Sequence, residues 1–149
     1  MRLRSNLLRT RGRPRHLLGI DLPWERTKTS AAIENPWVFE RGGLYYLLYS
    51  ANDWQGAYGM GYAVSRSPAG PFRKVESKPL LSGRSGLHGP GGGSTVVGPR
   101  GMMWLTYHAR RQAPGYRNWR HRTLHIDPLL VNHGRLALQG PSVSSRIRP

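Results

Sequence analysis

From residue 33 onward the chain alternates short apolar and aromatic runs with turn residues every ten or so positions, the pattern of an all-β protein. Trp37-Val38-Phe39, the turn Glu40-Arg41-Gly42-Gly43 and the run from Leu44 to Ser50 predict a hairpin. The loop from Ala51 to Gly56 leads to a third strand, Gly59 to Ser65, and the turn Ser67-Pro68-Ala69-Gly70-Pro71 leads to a fourth piece, Phe72-Arg73-Lys74. After the glycine-rich stretch from Gly89 to Gly93, read as a separator, the pattern restarts. Ser94 to Val97, a Gly98-Pro99-Arg100-Gly101 turn, Met102 to His108 and Arg122 to Ile126 make a second meander. Two meanders of about fifty residues form a weak internal repeat of propeller-blade size. Blades bury their faces only against neighbouring blades, so the expected fold is all-β and a partial propeller of about two to three antiparallel blades.

Residues 1–30 have a different character: basic, interrupted by Pro14 and Pro23, and without helical period. The expected division is a basic, irregular N-terminal segment, 1–30, followed by blades over 31–149. At 149 residues the chain suits one domain or a piece of one. It lacks the apolar run of about 18 residues that a membrane span needs, and the basic opening lacks the apolar region of a signal peptide. No membrane partner is therefore expected, and localisation stays open between secreted and cytoplasmic. Without cysteine there is no disulfide framework and no thiolate metal site. The net charge of +16 raises nucleic-acid binding as a possibility. Against it, 20 of the 23 basic residues are arginines scattered from Arg2 to Arg148, with no recognition helix or zinc-finger spacing. A nucleic-acid partner is accordingly the least favoured expectation.

Seven stretches in order carry a resemblance. They are Leu17-Leu18 to Trp24-Glu25, Ile33-Glu34-Asn35-Pro36-Trp37, Gly43 to Ser50, Gly61-Tyr62-Ala63, Gly70-Pro71-Phe72, Gly89-Pro90-Gly91-Gly92 and Tyr107-His108-Ala109. Over roughly residues 17–130 the chain resembles glycoside hydrolase family 43. The resemblance implies the C-terminal part of a five-bladed β-propeller that hydrolyses α-L-arabinofuranosyl or β-D-xylosyl bonds in plant-derived polysaccharides or oligosaccharides, with inversion. It also implies three acidic residues, of which only the general acid has a match, Glu34. The blades that would supply the general base and the pKa-modulating Asp are expected to be missing. Family members often hold an axial metal such as calcium, or a water, with a His at the position of Gly92, so the resemblance makes a metal doubtful here and no cofactor is expected.

An inverting glycosidase needs a protonated carboxyl on one side of the sugar and a carboxylate about 6.5–9.5 Å away on the other. One carboxyl cannot perform both roles, so the chain alone is expected to have little or no activity. A partly buried, like-charged setting would suit Glu34 to acid work, while on spacing alone a turn glutamate is the favoured reading and only the resemblance reverses it. Asn52, Asp53 and Trp54 form a candidate sugar-contact loop, with Trp54 alternatively packing at a blade edge. Trp37 lines the substrate funnel or the core. His88 approaches the axis or lies on the surface. Tyr107 and His108 face either core or funnel. Arg120 and Arg122 precede Leu124 to Asp127, which resembles the family's last strand, and Arg122 either bonds sugar hydroxyls or is a solvated charge. The alternatives to a hydrolase are a non-catalytic carbohydrate-binding or interaction remnant and, behind it, a basic nucleic-acid-binding protein. The oligomeric state is not legible in the chain.

Overall fold

The structure is a computed structural model and describes residues 2–54, 56–84, 86–111 and 121–142. Two short strands, β1 (Arg2–Leu3) and β2 (Thr10–Arg11), pair antiparallel at the start of the chain. A 3-10 turn, Pro23–Glu25, precedes the first large sheet. That sheet runs β3 (Ile33–Arg41), β4 (Leu44–Ala51), β5 (Gly59–Ser65) and β6 (Arg73–Lys74), each antiparallel to the next. The second sheet is built from β7 (His88–Val97), β8 (Met103–Arg110), β9 (Thr123–Asn132) and β10 (Arg135–Leu138) and is also a plain meander. The protein is thus all-β, with two four-stranded blades of a partial propeller.

Local chemistry explains the turns. Gly42 and Gly43 join β3 to β4 with φ of 61° and 75°, and a two-residue hairpin turn of matching twist requires positive φ at both central positions. The Glu40 carboxylate accepts the Gly43 amide at 2.8 Å and closes the turn. His133 and Gly134 repeat the device between β9 and β10, with φ of 48° and 77°. The strand Arg135–Leu138 is an addition to the sequence-based expectation. With four residues, of which only Leu136 is buried, it carries too little alternation to stand out.

One expectation is corrected. The glycine-rich stretch does not separate the blades but lies inside β7, whose pairing with β8 shifts between His88 and Gly91 and again between Gly91 and Ser94. Glycines within a strand mark bulges and close approaches of other groups, and both occur here.

The core forms where the blades meet. Tyr46, Leu48, Met60 and Tyr62 from the first sheet pack with Leu105, Tyr107, Ala109 and Leu129 from the second. The opposite face of the first sheet, carrying Leu47 and Ala63, is covered by Phe72 and by Leu18 from the N-terminal segment. Further along this segment, Trp24 stacks on Tyr49 with ring centres 5.9 Å apart. Gly61 makes the stacking possible, since a Cβ there would stand 2.6 Å from the Tyr49 hydroxyl and 2.7 Å from the Trp24 ring. Glu25, at 0% exposure, accepts the Tyr49 hydroxyl at 2.7 Å and the amides of Asp21 and Leu22 at 2.9 Å, and it pairs with Lys74. Lys74 also pairs with Asp21. Residues 17–25 are therefore anchored to the blade by charge as well as by packing. The outer face of the second sheet is exposed at Leu124 and Ile126.

Candidate functional site

Glu34 pairs with Ser50 at the start of β3, and the register then slips before Trp37 pairs with Leu48. Asn35, at the slip, has φ of 55°, a left-handed conformation that asparagine tolerates better than most residues. A bulge of this kind re-aims a side chain. The Glu34 side chain is exposed, and its Oε1 accepts the hydroxyl of Tyr58 at 2.7 Å. The Asn35 Nδ2 donates to the same phenol oxygen at 2.8 Å. Tyr58 is only 3% exposed. Its ring lies against Gly91, where a Cβ would overlap it, and stacks on His108 at 6.1 Å with 7° between planes. Beside it the Ser50 Oγ accepts the Gly92 amide at 2.9 Å. Burial, and then the hydrogen bond to Glu34, push the Tyr58 phenol up to about 12.

His108 and Tyr107 divide the two possibilities left open for them. Tyr107 enters the core and donates to the buried Asp127 at 2.6 Å. His108 points to the other side of β8, its ring within 2.9 Å of where a Gly92 side chain would begin, and its buried Nδ1 has no hydrogen-bond partner among the described residues. Burial first, and then the charges of Arg122 and Arg110, lower its pKa to about 4 from 6.5, with Glu34 opposing. The unfolded chain therefore binds this proton more readily than the folded one, and stability falls as pH drops from about 6.5 to about 4. After discounting for the ring's partial exposure the loss is on the order of 2 kcal/mol. Urea unfolding at pH 7 and pH 4.5 is expected to show this loss in the native chain and a smaller one in His108→Gln. Equal losses in both would remove His108 as the source. His125 is shifted down in the same direction by burial and adds to the slope.

The other candidates are dispersed. Trp37 is 41% exposed and donates its indole N–H to the Thr95 Oγ1 on β7 at 3.0 Å, so it bridges the blades at the surface rather than filling the core. Asn52, a sugar-contact candidate, lies inside the fold. It is buried, has φ of 82°, donates to the Trp24 carbonyl and accepts the Asp53 amide at 2.6 Å, so its polar atoms serve the fold. Asp53 is half-buried. Trp54 is 39% exposed, and its carbonyl accepts from Arg110 at 2.9 Å. His88 is half-buried at the start of β7, in register with Arg110. Arg122 is exposed, and its charge acts on His108 and Arg110. Arg120 lies outside the described residues.

Glu34 differs from expectation in its surroundings, being exposed and beside a phenol rather than partly buried beside another carboxylate. The remaining acids are engaged elsewhere. Asp21 and Glu25 are on Lys74, Glu40 is on the Gly43 amide, Glu76 is on Arg135 at 2.5 Å and Asp127 is on Tyr107 and Ser142. Asp53 lies within the influence of Arg110. The axial metal that the resemblance made conceivable does not fit these residues. Among those described, no three His, Asp or Glu side chains converge, and the His108 ring faces the space a side chain at position 92 would enter. No helix among them is long and apolar enough to cross a membrane.

Sequence reasoning missed Tyr58, Asn35 and Arg110. The available signal was the spacing of Gly89, Gly91 and Gly92. A Cβ at Gly89 would come within 2.8 Å of the Arg110 guanidinium, and one at Gly91 would meet Tyr58.

A beta-D-galactofuranosidase of Aspergillus niger is 32% identical over 102 residues, covering 67% of this chain and 29% of that enzyme. The crystal structure of a thermostable family-43 glycoside hydrolase superimposes with a TM-score of 0.84 at 34% identity, covering 97% of this chain and 47% of that one. An alpha-L-arabinofuranosidase from Lactobacillus brevis gives a TM-score of 0.71 at 26% identity, over 85% of this chain and 42% of its own. The chain thus spans less than half the length of each of these relatives. The model of the glycosyl hydrolases family 43 matches residues 1–134, most of the chain and both blades up to the last turn, and on that match the chain belongs to glycosyl hydrolase family 43.

Proposed function

We propose that Glu34 is the general acid of an inverting glycoside hydrolase acting on α-L-arabinofuranosyl or β-D-xylosyl O-glycosyl bonds of plant-derived polysaccharides or oligosaccharides. The observation that supports this best is an exposed carboxyl on a strand bulge with one oxygen hydrogen-bonded by a buried phenol, so that it is accessible and oriented at once. Two relatives, a galactofuranosidase and an arabinofuranosidase, agree with a furanoside substrate. In the reaction, Glu34 gives its proton to the leaving oxygen as the bond from the anomeric carbon to that oxygen breaks. A water oxygen bonds the same carbon from the opposite face, and a second carboxylate takes the water's proton.

With the other described acids engaged elsewhere, these 149 residues by themselves are proposed to hydrolyse such bonds at most weakly. Losing one general acid or base lowers the rate by about 10²–10⁴-fold. Incubation with phenyl α-L-arabinofuranoside and phenyl β-D-xyloside is expected to release sugar at or near the background rate. Turnover in the ordinary enzyme range, about 1–10³ per second, would overturn the inactivity. If that turnover survived Glu34→Gln, it would overturn the acid role as well. The exposed indoles of Trp37 and Trp54 favour a second reading, a carbohydrate-binding remnant. Quenching of tryptophan fluorescence by arabino- or xylo-oligosaccharides, without hydrolysis, is its expected signature.

A further inference from the structure

We infer that Tyr58 is a positioning residue which holds the Glu34 carboxyl by Oε1 and leaves Oε2 as the oxygen that carries the transferable proton. This rests on the general-acid reading of Glu34 and adds to it the identity of the proton-bearing atom and the group that selects it.

The argument is one of proton inventory. A phenol has one proton to donate, and an amide NH₂ can only donate. The Asn35 Nδ2 stands 2.8 Å from the Tyr58 oxygen, so along that contact the phenol accepts. Its own proton is then directed at the Glu34 Oε1, 2.7 Å away. Oε1 meets an incoming proton and is the poorer site for a second, so a proton taken up by Glu34 resides on Oε2. Ser50 also hydrogen-bonds the phenol and has its own hydroxyl proton to give it, so the chain runs from Asn35 and Ser50 through Tyr58 to Glu34.

The phenol is also held in place. At 3% exposure its ring lies against the Gly91 backbone, which has no room for a side chain, and stacks on the parallel imidazole of His108. His108 is kept neutral near pH 7 by burial and by Arg122 and Arg110, so it adds no charge beside the phenol. On the other side of the pair, the bulge at Asn35 sets the direction from which Glu34 arrives. Two short elements, the bulge after Glu34 and the glycine-rich part of β7, are thus brought together by the Tyr58 side chain.

The test needs no turnover. The intact chain is labelled with ¹³C at the tyrosine ring Cζ, and the seven tyrosine signals are followed from pH 7 to pH 3. The signal absent from Tyr58→Phe is expected to move as the Glu34 carboxylate takes up its proton, and that movement is expected to be lost in Glu34→Gln. Asn35→Ala releases the phenol from its donor and is expected to reduce the movement while leaving the signal in place. No tyrosine signal that tracks Glu34, or a tracking signal unchanged in Glu34→Gln, overturns the inference. Tyr58→Phe retains the ring that packs against Gly91, and thermal melting confirms that it folds. The general-acid reading fails separately. Turnover indifferent to Glu34→Gln would remove it while the Tyr58 signal still tracked the carboxyl.

Discussion

Lys74→Met is expected to destabilise the protein by about 3–5 kcal/mol, because it removes the cation from a carboxylate that water does not reach. Glu25 is 0% exposed, and Lys74 Nζ lies 2.6 Å from one of its oxygens and 2.7 Å from the other. Without the ammonium, Glu25 retains the Tyr49 hydroxyl and two backbone amides. These satisfy lone pairs but leave its charge unbalanced. Burial and the adjacent Glu25 push the Tyr49 phenol up, so it stays a donor throughout the neutral range. The loss should appear as a lower midpoint in urea unfolding and as early proteolysis within residues 17–25. Asp21→Ala is the control. Asp21 also touches Lys74, but its side chain is 67% exposed, and an exposed pair contributes about 0–1 kcal/mol. Equal effects from the two substitutions would show that burial of Glu25 is not what makes Lys74 important.

Gly91→Ala is expected to destabilise by about 1–3 kcal/mol or more, since the added methyl overlaps the Tyr58 ring in a packed site. The ring cannot simply slide away, because His108 stacks on it and its hydroxyl is tied to Asn35 and Glu34. Either β7 or Tyr58 must move, and movement of Tyr58 breaks the contact with Glu34. The substitution should therefore reduce both the unfolding midpoint and the coupling of the Tyr58 ring signal to Glu34. Gly56→Ala, where an added Cβ meets nothing within 4 Å, is expected to change neither. A Gly91→Ala protein as stable as the native chain would mean that the site is looser than its contacts indicate.

The strands that were legible in the chain share one property, an unbroken apolar and aromatic run bounded by turn residues. Gly59–Ser65 has the bounds its pattern implies, and Leu44–Ala51 runs one residue past its expected end. The hairpin at Gly42 and Gly43 was legible because a two-residue turn of that hand selects glycine. The stretch from Gly89 to Gly93 misled for the same reason, because glycine signals a turn and a close approach alike. Which of the two it serves depends on Tyr58 and Arg110, distant in sequence, and no local pattern contains them.

By itself the sequence determined the fold class, the meander order and Glu34 as the acid to examine, since these follow from alternation, turn chemistry and a run of matching motifs. The tertiary structure alone decided that Glu25 and Lys74 anchor the N-terminal segment, that Asn52 serves the fold, and that Tyr58 meets Glu34 across a gap kept open by Gly91. These are contacts between residues from about 24 to 49 positions apart in the chain, and sequence periodicity carries information only about neighbours on one strand.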